Sequence, residues 1–169
     1  MSSHPPHPPA AADPRDLTGS FSHEVVIEVR FADTDGMRHV NNATYLTYCE
    51  IARLRYWTDV TGEGFSEGND GAESLILAEA RITYRDQTHY GETVVVQSRA
   101  TRVGTSSFTL QHRLIAGAPG APMRLVAVSE SVLVRFDYAT GRPVALTPDL
   151  IEALETFEGH GLRDAQTRG

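Results

Sequence analysis

Val29-Arg30-Phe31-Ala32-Asp33-Thr34-Asp35-Gly36-Met37-Arg38-His39-Val40-Asn41-Asn42-Ala43-Thr44-Tyr45-Leu46 is the stretch on which the architecture turns. Just upstream the chain alternates. Over residues 24–31, Ile27, Val29 and Phe31 share one side, which is the period of a half-buried strand. Downstream the period becomes helical. Tyr45, Cys49, Ala52, Tyr56 and Val60 recur at spacings of three and four, and Leu46 and Trp57 widen the same face. Between the two periods lies a polar turn, residues 32–40. Asn41 and Asn42 both suit a helix N-cap, and Gly62 and Gly64 supply a stop. About eighteen residues at about 1.5 Å each make a helix of roughly 27 Å, long enough to cross a whole sheet.

Beyond a Gly- and Glu-rich loop over residues 61–73, everything reads as strand until the last helix. Strands are predicted over 75–84, 93–103, 106–116 and 124–136, with a tight Gly104-Thr105 hairpin link between the third and fourth. In the fourth, Phe108, Leu110, His112 and Leu114 alternate with Ser107, Thr109, Gln111 and Arg113. Pro148 opens a short closing helix through 149–157. The order predicts an α+β fold: a five-stranded, mostly antiparallel sheet wrapped around one long helix. Val94, Val96, Val126, Val128, Val132 and Val134 offer more apolar positions than one helix buries. A homodimer or homotetramer that covers the second face or pairs sheet edges is therefore expected. The length suits one domain, expected over 21–160. It follows a disordered tail over 1–20, rich in Pro, Ala, Ser and His, and precedes a frayed tail over 161–169.

Composition excludes several classes of function. The net charge is -7, and all 15 basic residues are arginines, scattered along the chain. A nucleic-acid surface needs a basic patch, and none is visible. No stretch approaches the roughly 20 apolar residues of a membrane span, and the N-terminus has no apolar signal-peptide core. A cytoplasmic location is the resulting expectation. A single cysteine, Cys49, makes no internal disulfide and agrees with a reducing compartment. Cys49 is a nucleophile by type, but its place in an apolar helical pattern reads as a small buried hydrophobe. His4 and His7 have no partners at regular spacing. No His/Cys/Asp cluster has metal-ligand spacing, and no Gly-rich phosphate loop is present. Neither a metal nor a redox cofactor is expected.

The chemistry concentrates in the turn before the helix. Asp33 and Asp35 lie beside the predicted helix N-terminus, which carries free N–H groups and about half a positive charge. Such an end can hold a developing oxyanion. A carboxylate next to it can attack a thioester carbonyl or deprotonate water. The plainer reading is that both aspartates brace the turn and that Asn41 and Asn42 cap the helix. His39 reads either as a hydrogen-bonded turn residue or as a base. Glu50 reads as a second acid or as an ion pair with Arg53, three residues on. Glu130 shares a strand face with Val128 and Val132 and reads as a buried acid or an interface residue. His112 reads as a core histidine.

The quoted run, with Glu50-Ile51-Ala52-Arg53, Ile82-Thr83-Tyr84, Gly91-Glu92 and Val103-Gly104-Thr105-Ser106-Ser107-Phe108, resembles the signature of hot-dog acyl-CoA thioesterases, specifically the 4-hydroxybenzoyl-CoA thioesterase type. The likeness covers about residues 24–157. It implies hydrolysis of an acyl thioester, of CoA or of a carrier protein, to a free acid and a thiol. Asp35 matches the catalytic carboxylate, as nucleophile or general base, while Asp33 stays structural. Asn42 matches the residue whose backbone N–H polarises the thioester carbonyl, a position often held by Tyr or His. The resemblance further implies a site at a subunit interface. Members commonly have Gly where this chain has Arg38, and Gly36 is the nearby source of flexibility. Some members grip the CoA phosphates with several basic residues on the hairpin. Here that segment offers Arg102, Thr105 and Ser106, which implies a weaker grip or a protein-bound phosphopantetheine.

Two other functions compete for the same residues. Acyl-thioester hydratases of this fold pair Asp with a His five residues later and carry a Gly-Asp-x-Asn-Pro run. Here His39 follows Asp35 by four, and that run is absent. A non-catalytic acyl-CoA-binding module would usually carry a DNA-binding extension, which the short Pro-rich tail does not resemble.

Overall fold

The structure is a computed structural model and describes residues 19–62 and 73–162. Most of the expected N-terminal tail, with His4 and His7, lies outside the described residues, as do residues 63–72 and 163–169.

Strand β1 (His23–Glu28) leads through a 3₁₀ turn (Phe31–Asp33) and a polar loop to helix α1 (Asn42–Thr61). Strands β2 (Glu73–Tyr84), β3 (Thr93–Val103), β4 (Ser107–Gly117) and β5 (Arg124–Asp137) follow, then a two-residue β6 (Arg142–Pro143) and helix α2 (Pro148–Glu158). The sheet order is β1-β3-β4-β5-β2, with β6 beside β5, and every pairing is antiparallel. Helix α1 packs on β1 and β3 and touches α2. This is the expected α+β fold, with a sixth short strand that the sequence pattern did not separate from the turn after β5.

Three local expectations are corrected. The first strand ends at Glu28 rather than Phe31, because the Asp33 carboxylate accepts the Arg30 N–H at 2.9 Å and folds the chain into the 3₁₀ turn. Phe31 is consequently exposed. On α1 the buried face is Tyr45, Tyr48, Cys49, Ala52 and Tyr56, with Leu46 exposed. The hairpin link is longer than Gly104-Thr105 and is closed by the Gly104 N–H on the Ser107 carbonyl at 2.8 Å.

The valines divide by strand pleat. Val94, Val96 and Val126 are fully buried in the core with α1. Val128, Val132 and Val134 pair with Arg113, Thr109 and Ser107, whose neighbours in β4 point to the helix. They therefore sit on the outer face. That face also carries Gln97, Gln111 and Glu130, hydrogen-bonded among themselves and to neighbouring arginines. It is mixed rather than apolar, which weakens the case for burying it wholesale. Glu130 is one of its exposed residues.

The core has two apolar halves, one around Tyr45, Tyr48, Val94, Val96 and Leu114, the other around Tyr56, Phe108, Leu110, Leu133 and Leu154. A row of polar residues crosses the sheet between them: His23, Ser98, His112 and Ser129, paired strand to strand. All four are buried. The His112 Nδ1 lies 2.9 Å from the Ser98 Oγ. Burial, with nearby Arg53 adding to it, pushes the His112 imidazole down to about 3. Among the described residues no helix is long and apolar enough to cross a membrane.

A histidine held neutral in the fold but free to protonate when unfolded makes the unfolded state bind more protons below the ordinary value of 6.5. Stability should therefore fall as pH drops below that value, with a slope approaching about 1.4 kcal/mol per pH unit. Urea titrations at pH 7, 6 and 5 should show this fall in the wild type and a shallower one in His112→Phe.

Candidate active site

Asp33 anchors the turn. Its carboxylate, 3% exposed, accepts the Arg30 N–H at 2.9 Å, the Arg30 guanidinium at 2.7 Å and the Tyr48 hydroxyl at 2.9 Å. Its carbonyl accepts the Asn41 N–H at 2.8 Å. Desolvation pushes the carboxyl upward, but the hydrogen bonds from Arg30 and Tyr48 outweigh it, so it titrates below the usual carboxylate range. Burial, with the same contact, holds the Tyr48 phenol firmly protonated. Asp33 is thus structural, as the resemblance implies.

Asp35 opens a small hairpin. Thr34 bridges Val40, the Asp35 N–H donates to the His39 carbonyl at 2.9 Å, and the Arg38 N–H donates to the Asp35 carbonyl at 3.0 Å. One carboxylate oxygen, Oδ1, accepts the Met37 N–H at 2.8 Å. Oδ2 has no protein partner among the described residues. Two readings of Asp35 therefore coexist in one side chain: Oδ1 braces the turn and Oδ2 is available for chemistry. The hairpin's tight corner is Arg38, in the left-handed region at φ 67°. That conformation is taken by Arg38 itself, and Gly36 does not share it.

Val40 and Asn41 then feed α1. The Asn41 side chain caps the helix by accepting the Ala43 N–H at 2.9 Å, and its carbonyl accepts the Thr44 N–H. The amide of exposed Asn42, the first helical residue, is left without an acceptor among the described residues. The Asn42 carbonyl is held by the Tyr84 hydroxyl at 2.8 Å. The site therefore presents a free carboxylate oxygen and a free amide on consecutive segments at the positive end of a 20-residue helix.

The turn between β2 and β3 supports this hairpin. The Thr88 carbonyl accepts the Val40 N–H at 2.7 Å, and the Thr88 hydroxyl accepts from the Tyr45 hydroxyl at 2.9 Å. His39 lays its ring edge-on against His89, centroids 5.2 Å apart. The turn is held in its turn by Arg124, whose guanidinium meets Glu92 at 2.7 Å and Asp86 at 2.9 Å. Neither His89 nor Thr88 was legible as part of the site, since both lie more than forty positions from the hairpin.

Other candidates fall elsewhere. Arg102, Thr105 and Ser106 sit at the far end of β3, which runs 11 residues from the Asp35 end; at about 3.3 Å per residue that is roughly 30 Å away within one chain. Cys49 is buried, and burial pushes its thiol up to about 11, where a thiolate is not available for attack. Glu50 is exposed and pairs with Arg53 at 3.6 Å. Beside that pair, Leu54, Trp57, Leu75, Leu77 and Phe108 line a cavity of about 180 Å³. It begins eight residues down the helix from Asn42, roughly 12 Å at about 1.5 Å per residue. Among the described residues no three His, Cys, Asp or Glu side chains are grouped to hold a metal ion.

Residues 29–154 match the model of the thioesterase-like superfamily. The chain belongs to that superfamily. One relative of similar sequence is the uncharacterized protein YsmA of Bacillus subtilis (strain 168), 30% identical over 135 residues, which are 80% of this chain and 86% of YsmA. Among solved structures, a thioesterase from Thermus thermophilus, crystallised with coenzyme A and Zn, is 31% identical with a TM-score of 0.72, covering 84% of this chain and 98% of that one. The 4-hydroxybenzoyl-CoA thioesterase of Pseudomonas sp. strain CBS-3 superposes with a TM-score of 0.70 over 79% of this chain and 99% of its own, at 17% identity. That likeness shows the hot-dog fold alone. It does not carry the aryl-CoA type to this superfamily member.

Replacing Asp33 by Ala leaves the buried Tyr48 hydroxyl without an acceptor, so a loss of about 2–3 kcal/mol in chemical denaturation is expected. The wild type should also lose this stabilisation at low pH. It is fully present above the ordinary carboxylate value of 3.8 and is lost as pH falls through the depressed folded value. The variant should lack that part of its acid transition.

Proposed function

We propose that this protein hydrolyses an acyl thioester of CoA, or of a carrier-protein phosphopantetheine, with Asp35 as its catalytic carboxylate. Membership of a thioesterase-like superfamily supports thioester hydrolysis in general. What supports the finer reading is that the segment leading into the helix carries both an unengaged carboxylate oxygen, Asp35 Oδ2, and an unengaged amide, the Asn42 N–H at the helix start. Asp35 deprotonates a water that attacks the carbonyl carbon, or attacks that carbon itself to give an acyl–aspartyl anhydride that water then hydrolyses to the free acid. The thioester oxygen gains charge as the tetrahedral intermediate forms, and the Asn42 amide and the helix end stabilise it. The thiolate then leaves and takes a proton. His39 serves through its backbone carbonyl and its ring contact with His89, not as the base.

The working unit we propose is a homodimer. Strand β2 is a 12-residue edge, and Leu77, Ala78, Glu79, Ala80 and Arg81 in its middle are all exposed. Long unprotected edges of this kind pair with another strand. Antiparallel pairing of two β2 strands inverts one sheet against the other. Arg102, Thr105 and Ser106 of one protomer then belong to the end of the joined sheet that carries the other protomer's Asp35, which is where a CoA tail would need them. Pairing of two such dimers would give a homotetramer. A cytoplasmic setting fits the CoA substrate class.

Thiol release from acetyl-, hexanoyl-, dodecanoyl-, palmitoyl- and benzoyl-CoA should identify the acyl class. In Asp35→Asn the best of these turnovers should fall by about 10²-fold or more, as for loss of a base or nucleophile. Equal activity in both proteins removes Asp35 from the centre of the mechanism. No release from any substrate by folded wild type points to a carrier-protein substrate or a non-catalytic binder. Sedimentation velocity at micromolar protein should give a dimer or larger, and a fully active monomer would sink the shared site.

A further inference from the structure

We infer that His89, which lies outside the Asp35 segment, is a positioning residue for Asp35 through a clamp on the Arg38 carbonyl; this rests on Asp35 being the catalytic carboxylate. Arg38 is the strained corner of the hairpin, in a backbone region that non-glycine residues avoid. The hairpin's own hydrogen bonds close around it, and one contact reaches it from outside the hairpin. The His89 Nδ1 lies 3.2 Å from the Arg38 carbonyl oxygen. A carbonyl only accepts, so Nδ1 carries the proton, and the ring stands as the Nδ1–H tautomer with its face or edge against His39.

The clamp has a firm base. The His89 N–H donates to Glu92 Oε2 at 2.8 Å. Glu92 in turn takes two hydrogen bonds from Arg124, at 2.7 and 3.0 Å. Desolvation works against the Glu92 anion, but the bonds from Arg124 and the His89 amide outweigh it and keep the carboxyl low. Arg124 also donates to Asp86 and to the Gln87 carbonyl. The backbone that carries His89 is thus held at several points, and the imidazole transmits that fixity to Arg38. The Arg38 N–H and the Met37 N–H both bond to Asp35, one at its carbonyl and one at its carboxylate. A shift at Arg38 therefore moves the Asp35 backbone through the Arg38 N–H and, one residue back, the Met37 N–H that orients the Asp35 carboxylate.

Asn places an amide N–H₂ near where Nδ1 stands, and Gln places one near Nε2. His89→Gln should lower kcat about tenfold on the best acyl-CoA of the panel, with KM changed little, as for one lost hydrogen bond worth a factor of this order. His89→Asn should restore most of that loss. In an Arg38→Gly background the corner is unstrained, so His89→Gln should cost clearly less than it does alone. Imidazole ¹⁵N shifts should show the Nδ1–H tautomer in wild type. Equal activity in wild type and both His89 variants, with Asp35→Asn inactive, overturns the clamp while the thioesterase reading stands. Loss of activity in Asn and Gln alike, with one limb of the pH–rate profile gone, also overturns it and makes His89 a proton carrier. If Asp35→Asn stays active, the Asp35 reading has failed. The clamp is then judged by hydrogen exchange, where faster exchange of the Asp35 amide in His89→Gln supports it and unchanged exchange overturns it.

Discussion

The Asp33 carboxylate joins three parts of the chain that must meet before a site exists. It accepts from the Arg30 backbone and guanidinium, which turns the chain out of β1, and from the Tyr48 hydroxyl two turns into α1. Its own carbonyl accepts the amide of the N-cap residue Asn41. A buried anion is tolerated only when its lone pairs are filled by donors, so the arrangement is all or nothing. With it formed, the helix end has a fixed place beside the hairpin that presents Asp35. Asp33 and Asp35 are two residues apart and chemically identical, and their surroundings divide the labour. One is saturated with donors and structural; the other keeps an oxygen open.

The second constraint is the polar row between the two apolar halves of the core. Buried His112 and Ser98 bond to each other across β3 and β4, and Ser129 continues the row on β5. Any slip of register would place these groups against apolar partners, so the row specifies strand pairing more sharply than valines and leucines do. It also separates the packing near the Asp35 hairpin from the packing under α2. The helix spans both, and its Tyr45 and Tyr56 belong to different halves.

Much of the fold was legible locally. The period change at residues 29–46, the capping asparagine, the four later strands and the Pro148 helix start each depend on neighbours in sequence, and the structure has them within a residue or two. The errors are those in which a specific side-chain contact, or the phase of a strand's pleat, overrides a local pattern. Alternation through Phe31 argued for strand, but a single hydrogen bond from the Arg30 amide to Asp33 ended it. Leu46 was placed on the core face by spacing yet is exposed, while Tyr48 is buried with its hydroxyl on Asp33. The valine count overstated the apolar outer face, because counting does not assign a pleat phase.

The sequence by itself determined the order and type of the elements and singled out the candidate pair Asp35 and Asn42, since hydrophobic period, capping and turn chemistry act over a few residues. Only the tertiary structure decided which Asp35 oxygen is free, that Arg38 is the strained corner, and that Thr88, His89 and the Arg124–Glu92 pair brace it from across the fold. It also separated Arg102, Thr105 and Ser106 from Asp35 by the length of a strand. Such relations depend on strand order and side-chain direction, which are set by how the whole chain packs and leave no mark in the spacing of residues.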